Sequence, residues 1–77
     1  MKVKPTDMRY DKELERWVVK GRDTWYSMRC GEGITLHVGE YALRGRIEFG
    51  MNTWWIIAND VPLGLFRGRT YTVTIEI

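Results

Sequence analysis

From Thr24 onward, apolar and polar residues alternate with a period of two. Tyr26, Met28 and Cys30 alternate with Trp25, Ser27 and Arg29, and Ile34, Leu36 and Val38 with Thr35 and His37. Tyr41, Leu43, Gly45, Ile47 and Phe49 alternate with Ala42, Arg44, Arg46 and Glu48. Tyr71, Val73, Ile75 and Ile77 do the same with Thr70, Thr72, Thr74 and Glu76. Successive side chains of a strand point to opposite faces, so each run predicts an antiparallel strand with one face on a core. The most apolar run, Thr53-Trp54-Trp55-Ile56-Ile57-Ala58, is rich in the aromatic and β-branched types that fit a pleated surface. Its adjacent tryptophans must face opposite ways, so if one enters the core the other needs cover elsewhere or stays exposed.

The connections are those of hairpins. Gly39-Glu40 is a two-residue link with glycine first, as a type II′ turn requires, and Gly31-Glu32-Gly33 and Gly50-Met51-Asn52 make short loops. The longest break after residue 24 runs from Asn59 to Arg69, and its Val61-Pro62-Leu63-Gly64-Leu65-Phe66 suits a 3₁₀ turn that plugs one barrel end. Gly45, at an inward position of the longest strand, marks a sharp bend that lets one strand serve both halves of a small barrel.

Nearer the start, Met8-Arg9-Tyr10 and Arg16-Trp17-Val18-Val19-Lys20 predict a hairpin across the charged stretch 11–15. A helix through 11–20 competes, because Leu14, Trp17 and Val18 stand at i, i+3 and i+4; the β-branched pair before Gly21 favours the hairpin. Residues 1–7 are polar, hold Pro5 and predict a flexible lead-in. The expected fold is a single all-β domain over 8–77, a small antiparallel SH3-like barrel of five to seven short strands with at most one 3₁₀ turn. Its expected core is Tyr26, Met28, Leu36, Val38, Leu43, Ile47, Phe49, Val73 and Ile75.

Composition narrows the chemistry. A chain of 77 residues holds one domain. Its four Trp, four Tyr and two Phe offset the small core that such a length allows. Twelve basic residues against ten acidic ones leave +2, well short of a dedicated duplex-DNA binder. One cysteine, Cys30, precludes an internal disulfide, and with only His37 beside it no metal site or cofactor is expected. No apolar run approaches the roughly 20 residues of a membrane span, so a cytoplasmic location is expected. There is no phosphate loop, paired-His motif or nucleophile elbow, and the alternation puts Cys30 inward and His37 outward, so no catalytic residue and no enzyme is expected.

Two surfaces are candidates for binding. Trp25, Arg29, His37, Arg44 and Arg46 face outward, joined by one of Trp54 and Trp55; arginine with exposed rings suits phosphates and unpaired bases. The alternative to any binding role is an ordinary solvated strand face paired with Glu32, Glu40 and Glu48. Trp, Tyr, Arg and Met are also the types enriched at protein interfaces, and Met51 beside Trp54 is a plausible anchor. The Thr70-Thr72-Thr74-Glu76 strand could pair with another chain if it lies at a sheet edge, giving a homodimer; closing the barrel as a monomer is the other outcome.

The segments Tyr10–Val19, Tyr26–Glu32, Gly45–Glu48 with Trp54–Ile57, and Leu63-Gly64-Leu65 resemble an uncharacterised family of short proteins from bacterial chromosomes, conjugative elements and phages. The resemblance covers the chain from about residue 8 and implies a small β-barrel and a mobile-element setting, without a mechanism. It also implies that a small binder of this kind would suit an inhibitor of a host defence nuclease, as anti-CRISPR proteins are. The expected function is therefore a non-enzymatic interaction module that binds a partner protein through Trp25, Arg29, Arg44, Arg46, Met51, Trp54 and Trp55. Single-stranded nucleic acid on the basic–aromatic face is the alternative.

Overall fold

The structure is a computed structural model that describes residues 4–75. Those residues form eight strands and no helix: β1 (Thr6–Asp11), β2 (Arg16–Lys20), β3 (Trp25–Ser27), β4 (Gly33–Val38), β5 (Tyr41–Gly50), β6 (Thr53–Ala58), β7 (Val61–Leu65) and β8 (Tyr71–Thr74). All are antiparallel in one sheet of order β3-β2-β1-β8-β4-β5-β6-β7. The hairpin at 8–20 therefore wins over the helix. β1 begins at Thr6, inside the expected lead-in, while residues 1–3 of that lead-in and Glu76 and Ile77 of the expected last strand lie outside the described residues.

The sheet curls but does not close into a barrel: β3 and β7 remain its two edges. The need for the curl follows from the connection between β3 and β4. In a flat sheet these strands would stand four spacings of about 4.8 Å apart. Residues 28–32 could cover that only if nearly fully extended, yet the Glu32 amide bonds back to the Arg29 carbonyl at 3.2 Å and makes a turn. The segment instead crosses one end of the curled sheet. Met28 is sunk into the core, its amide on the Trp17 carbonyl at 2.8 Å, and Gly31 and Glu32 exchange bonds with Ile47 at 2.7 and 3.0 Å.

That crossing does the plugging expected of residues 61–66. Val61–Leu65 form β7 rather than a 3₁₀ turn, because Asn59 and Asp60 both take positive φ (51° and 63°) and make a tight two-residue turn between the paired Ala58 and Val61. Pro62 is tolerated because β7 is an edge strand, where its missing N–H costs no ladder bond.

Gly45 stands where β5 changes partner. The first half of the strand pairs with β4, its second half with β6, and Arg46 belongs to both registers. A Cβ on Gly45 would run into the Ile57 carbonyl oxygen and lie 2.8 Å from the Ile57 carbonyl carbon. Only a glycine permits the strands to approach so closely.

The core joins Met8, Trp17 and Val19 to Ile34, Leu36, Ile47, Trp54, Ile56, Leu65, Val73 and Ile75, with Met28 from the crossing. Of the expected core, Leu43 is only partly buried, and Tyr26, Val38 and Phe49 are exposed. Each of these three sits at an edge strand or beside a turn, where pointing inward no longer means being covered. Cys30, also expected inside, is exposed because β3 ends at Ser27 and the alternation stops with it. β8 lies between β1 and β4. The last strand is thus interior and packs against the N-terminal hairpin, so the edge alternative, and strand addition there, is closed off.

Candidate functional site

At the end of the curled sheet crossed by residues 28–32, two hairpin tips stand apart and leave a groove of about 910 Å³. One wall is the β1–β2 tip, with Leu14, Glu15 and Arg16; the other is the β5–β6 tip, with Phe49 and Asn52. Tyr10 and Trp54 reach it from the core, Ser27, Arg29 and Cys30 border it from the crossing, and Arg67 stands at the start of the β7–β8 loop.

Each wall is set by local structure. The Asp11 carboxylate accepts the Glu13 and Leu14 amides at 2.9 and 3.1 Å, shaping a tip in which Glu15 takes φ 53°. Leu14 is left 53% exposed at its summit. In the opposite tip Met51 and Asn52 take φ 54° and 59° between the paired Gly50 and Thr53, so the turn is only two residues long. Phe49 packs at a tilt against Trp54, ring centroids 4.9 Å apart, and keeps an open face.

A chain of rings ties the groove to the core. Arg67 lies over Tyr10 at 5.0 Å, Tyr10 meets Trp17 edge-on at 5.6 Å, and Trp17 meets Tyr71 at 5.6 Å. The Tyr71 hydroxyl accepts the Phe66 amide at 2.8 Å, which holds the loop that carries Arg67. Trp17 Nε1 is buried without a hydrogen-bond partner among the described residues, and both its aromatic neighbours present ring edges or faces to the indole.

The expected site residues divide. Arg29 and Trp54 line the groove, and Met51, 93% exposed, is not among the lining residues but shares a turn with Asn52, which is. Trp25 sits on β3 with the Arg9 guanidinium over its ring at 4.4 Å. That pair lies on the face where Val18, only 2% exposed, needs cover. Arg44 and Arg46 lie on β5, with β2, β1, β8 and β4 between them and Trp25, so no single basic–aromatic face joins the three. Arg46 is paired with Glu48 at 3.1 Å. Of the two tryptophans, Trp54 is in the core and Trp55 is half-buried on the outer face, its Nε1 donating to the Gly50 carbonyl at 3.1 Å. His37 Nε2 and Thr74 Oγ1 are 2.6 Å apart on the outer face, whereas Cys30 borders the groove, so the two line no common cavity. Among the described residues no three His, Cys, Asp or Glu side chains converge on a metal position.

Tyr10, Leu14, Arg16, Phe49 and Arg67 carry the groove and were not singled out by the sequence. The available signal was that Arg16 and Phe49 flank tight turns, and that Gly31 and Gly33 end the run from Trp25. Both observations locate tips; neither reveals that the tips face one another.

Among the described residues no helix is long and apolar enough to cross a membrane. No curated protein and no solved structure matches the chain. One protein-family model does, across residues 6–75, and its description is a domain of unknown function, DUF5348.

Proposed function

Since the chain belongs to the DUF5348 family, which brings no activity with it, we propose from the groove itself that this is a non-enzymatic module that holds a partner protein between its two hairpin tips. The observation that carries this is where the backbone is strained. Left-handed backbone costs an ordinary L-residue about 1–2 kcal/mol, and glycine, asparagine and aspartate tolerate it best. The turns away from the groove obey that rule: Gly39, Asn59 and Asp60 occupy the positive-φ positions. On the groove side, besides Asn52 and Gly31, the same conformation falls to Glu15 and Met51. Unfavourable residues kept in strained backbone, both beside one groove, point to a functional demand on their side chains. Met51 projects almost wholly into solvent, and methionine adapts its shape to a partner's surface.

Several finer features follow from the same reading. The bent β5 and the curled sheet support kinship with SH3-like small barrels, which use such ends to bind. A mobile-element or phage origin and an inhibitory, anti-CRISPR-like action on a host nuclease rest on the family resemblance alone, and a cytoplasmic location on the sequence expectation given above. Single-stranded nucleic acid is the second reading, favoured by Arg16, Arg29 and Arg67 beside the Tyr10 ring.

The test is capture of partners from a bacterial lysate by the wild-type chain and by Phe49→Ser, each with and without nuclease. A protein retained after nuclease and lost with Phe49→Ser supports the module as described. Retention that disappears with nuclease moves the ligand to nucleic acid, and equal retention by the variant removes the groove from the site.

A further inference from the structure

We infer that the groove takes an extended acidic segment of the partner, with a large apolar side chain set between carboxylates. This rests on the groove being a partner-protein site and adds the chemistry of what enters it. The floor and one wall are apolar: Trp54 and Phe49 in tilted contact, Tyr10, and Leu14 across from them. Such a surface favours an aromatic or aliphatic anchor.

The charges are all but one-sided. Three arginines and one glutamate line the groove, an excess of two positive charges that equals the formal +2 of the whole chain. The lining itself is thus positive, with Asp11 and Glu13 standing beside Glu15 on the β1–β2 tip. Arg67 is held over Tyr10, and among the described residues Arg16 and Arg29 have no ion pair, so their guanidinium groups remain open to a carboxylate. Arginine forks match carboxylates in a bidentate way.

Nucleic acid fits this distribution less well. Asp11, Glu13 and Glu15 crowd the β1–β2 tip, and Glu32 accepts the Arg29 amide at 2.9 Å. A strand with a phosphate at every nucleotide must pass these acids, whereas a peptide can place its few carboxylates opposite the arginines alone. The outward methionine and leucine also offer contacts to an apolar side chain rather than to a base.

The experiment pans a displayed library of random peptides on the full chain, with counter-selection on an R16E/R29E variant whose fold is checked by circular dichroism and melting. Enriched peptides are then measured by fluorescence anisotropy beside their Asn/Gln counterparts and an oligo-dT. The expected result is enrichment of Asp and Glu around Phe, Leu, Trp or Met, with affinity falling at least about tenfold in the amide versions or with R16E/R29E. Enriched peptides without acids that still depend on Phe49 would overturn the acidic chemistry and leave the protein-binding module standing. Oligo-dT binding that needs Arg16 and Arg29, with no peptide enriched, would overturn both. No enrichment and no oligo-dT binding would overturn the peptide groove.

Discussion

Trp55 on β6 lies across Gly64 on β7, its ring carbons 3.6 and 3.8 Å from where a Cβ of Gly64 would stand. This resolves the conflict between two adjacent tryptophans. Trp54 enters the core, while Trp55 covers a bare stretch of the edge strand and fixes its own nitrogen on the Gly50 carbonyl. Cross-strand cover of a glycine by an aromatic ring is one way a sheet secures its rim. The two rings should respond differently to truncation. Trp54→Ala should cost about 3–5 kcal/mol, a large part of what so small a domain holds in total. Trp55→Ala should cost about 1–2 kcal/mol for the lost bond and partial cover. Urea unfolding of both variants measures the contrast, and equal losses would contradict it.

Met51→Asn should stabilise the domain while weakening partner binding. Asparagine enters left-handed backbone more easily, so the turn should gain about 0.5–1 kcal/mol. For a domain of this length that is a rise of several degrees in melting temperature, roughly 4–8 °C per kcal/mol. A fall in stability would show that the Met51 side chain is held by the fold itself.

Gly45→Ala should be the most damaging single methyl group in β5. The added carbon meets backbone of Ile57 and Ala58, which cannot move aside without breaking the β5–β6 ladder. A loss of about 1–3 kcal/mol is expected from such overpacking. Gly50→Ala, whose Cβ would meet nothing within 4 Å, is the control in thermal melts.

Cys30 should react with a thiol reagent in the native protein at a rate close to that of the unfolded chain, because it is exposed. A bulky maleimide adduct there should block the groove and abolish partner binding without lowering the melting temperature. Binding that persists through full modification would separate the partner from the groove.

Tyr71→Phe should release the β7–β8 loop without emptying the core. The phenol oxygen is the acceptor for the Phe66 amide, and its loss should cost about 1 kcal/mol. Amide exchange at Phe66 reads the effect directly, and partner affinity should fall as Arg67 loses its fixed place above Tyr10.

Much of the sheet could be read from alternation. The strands at 34–38, 41–49, 53–58 and 71–74 and the hairpin at 8–20 all follow from a period of two and from turn chemistry. The misjudged places share one physical cause. Parity tells which way a side chain points, not whether anything stands there to cover it, so Tyr26, Val38 and Phe49 point inward at the rim and remain exposed. Residues 61–66, expected as a 3₁₀ turn, instead supply the edge strand β7, where Pro62 costs no ladder bond. The groove was the least legible part: Arg16, Phe49 and Arg67 meet because the sheet curls, and curling is a property of pairings between distant segments. Trp25 and Arg44, alike in sequence pattern, are separated by the same strand order.

The place of β8 has a consequence for how the molecule comes into being. The strands before it form two meanders, β1 to β3 and β4 to β7, each built of neighbours in sequence. Only Tyr71–Thr74, threaded between β1 and β4, welds them into one sheet. Until the joining strand takes its place, the facing strands of the two meanders, β1 and β4, stay unpaired. Assembly is therefore a late, long-range event, the kind that slows folding and exposes sticky edges in the interval.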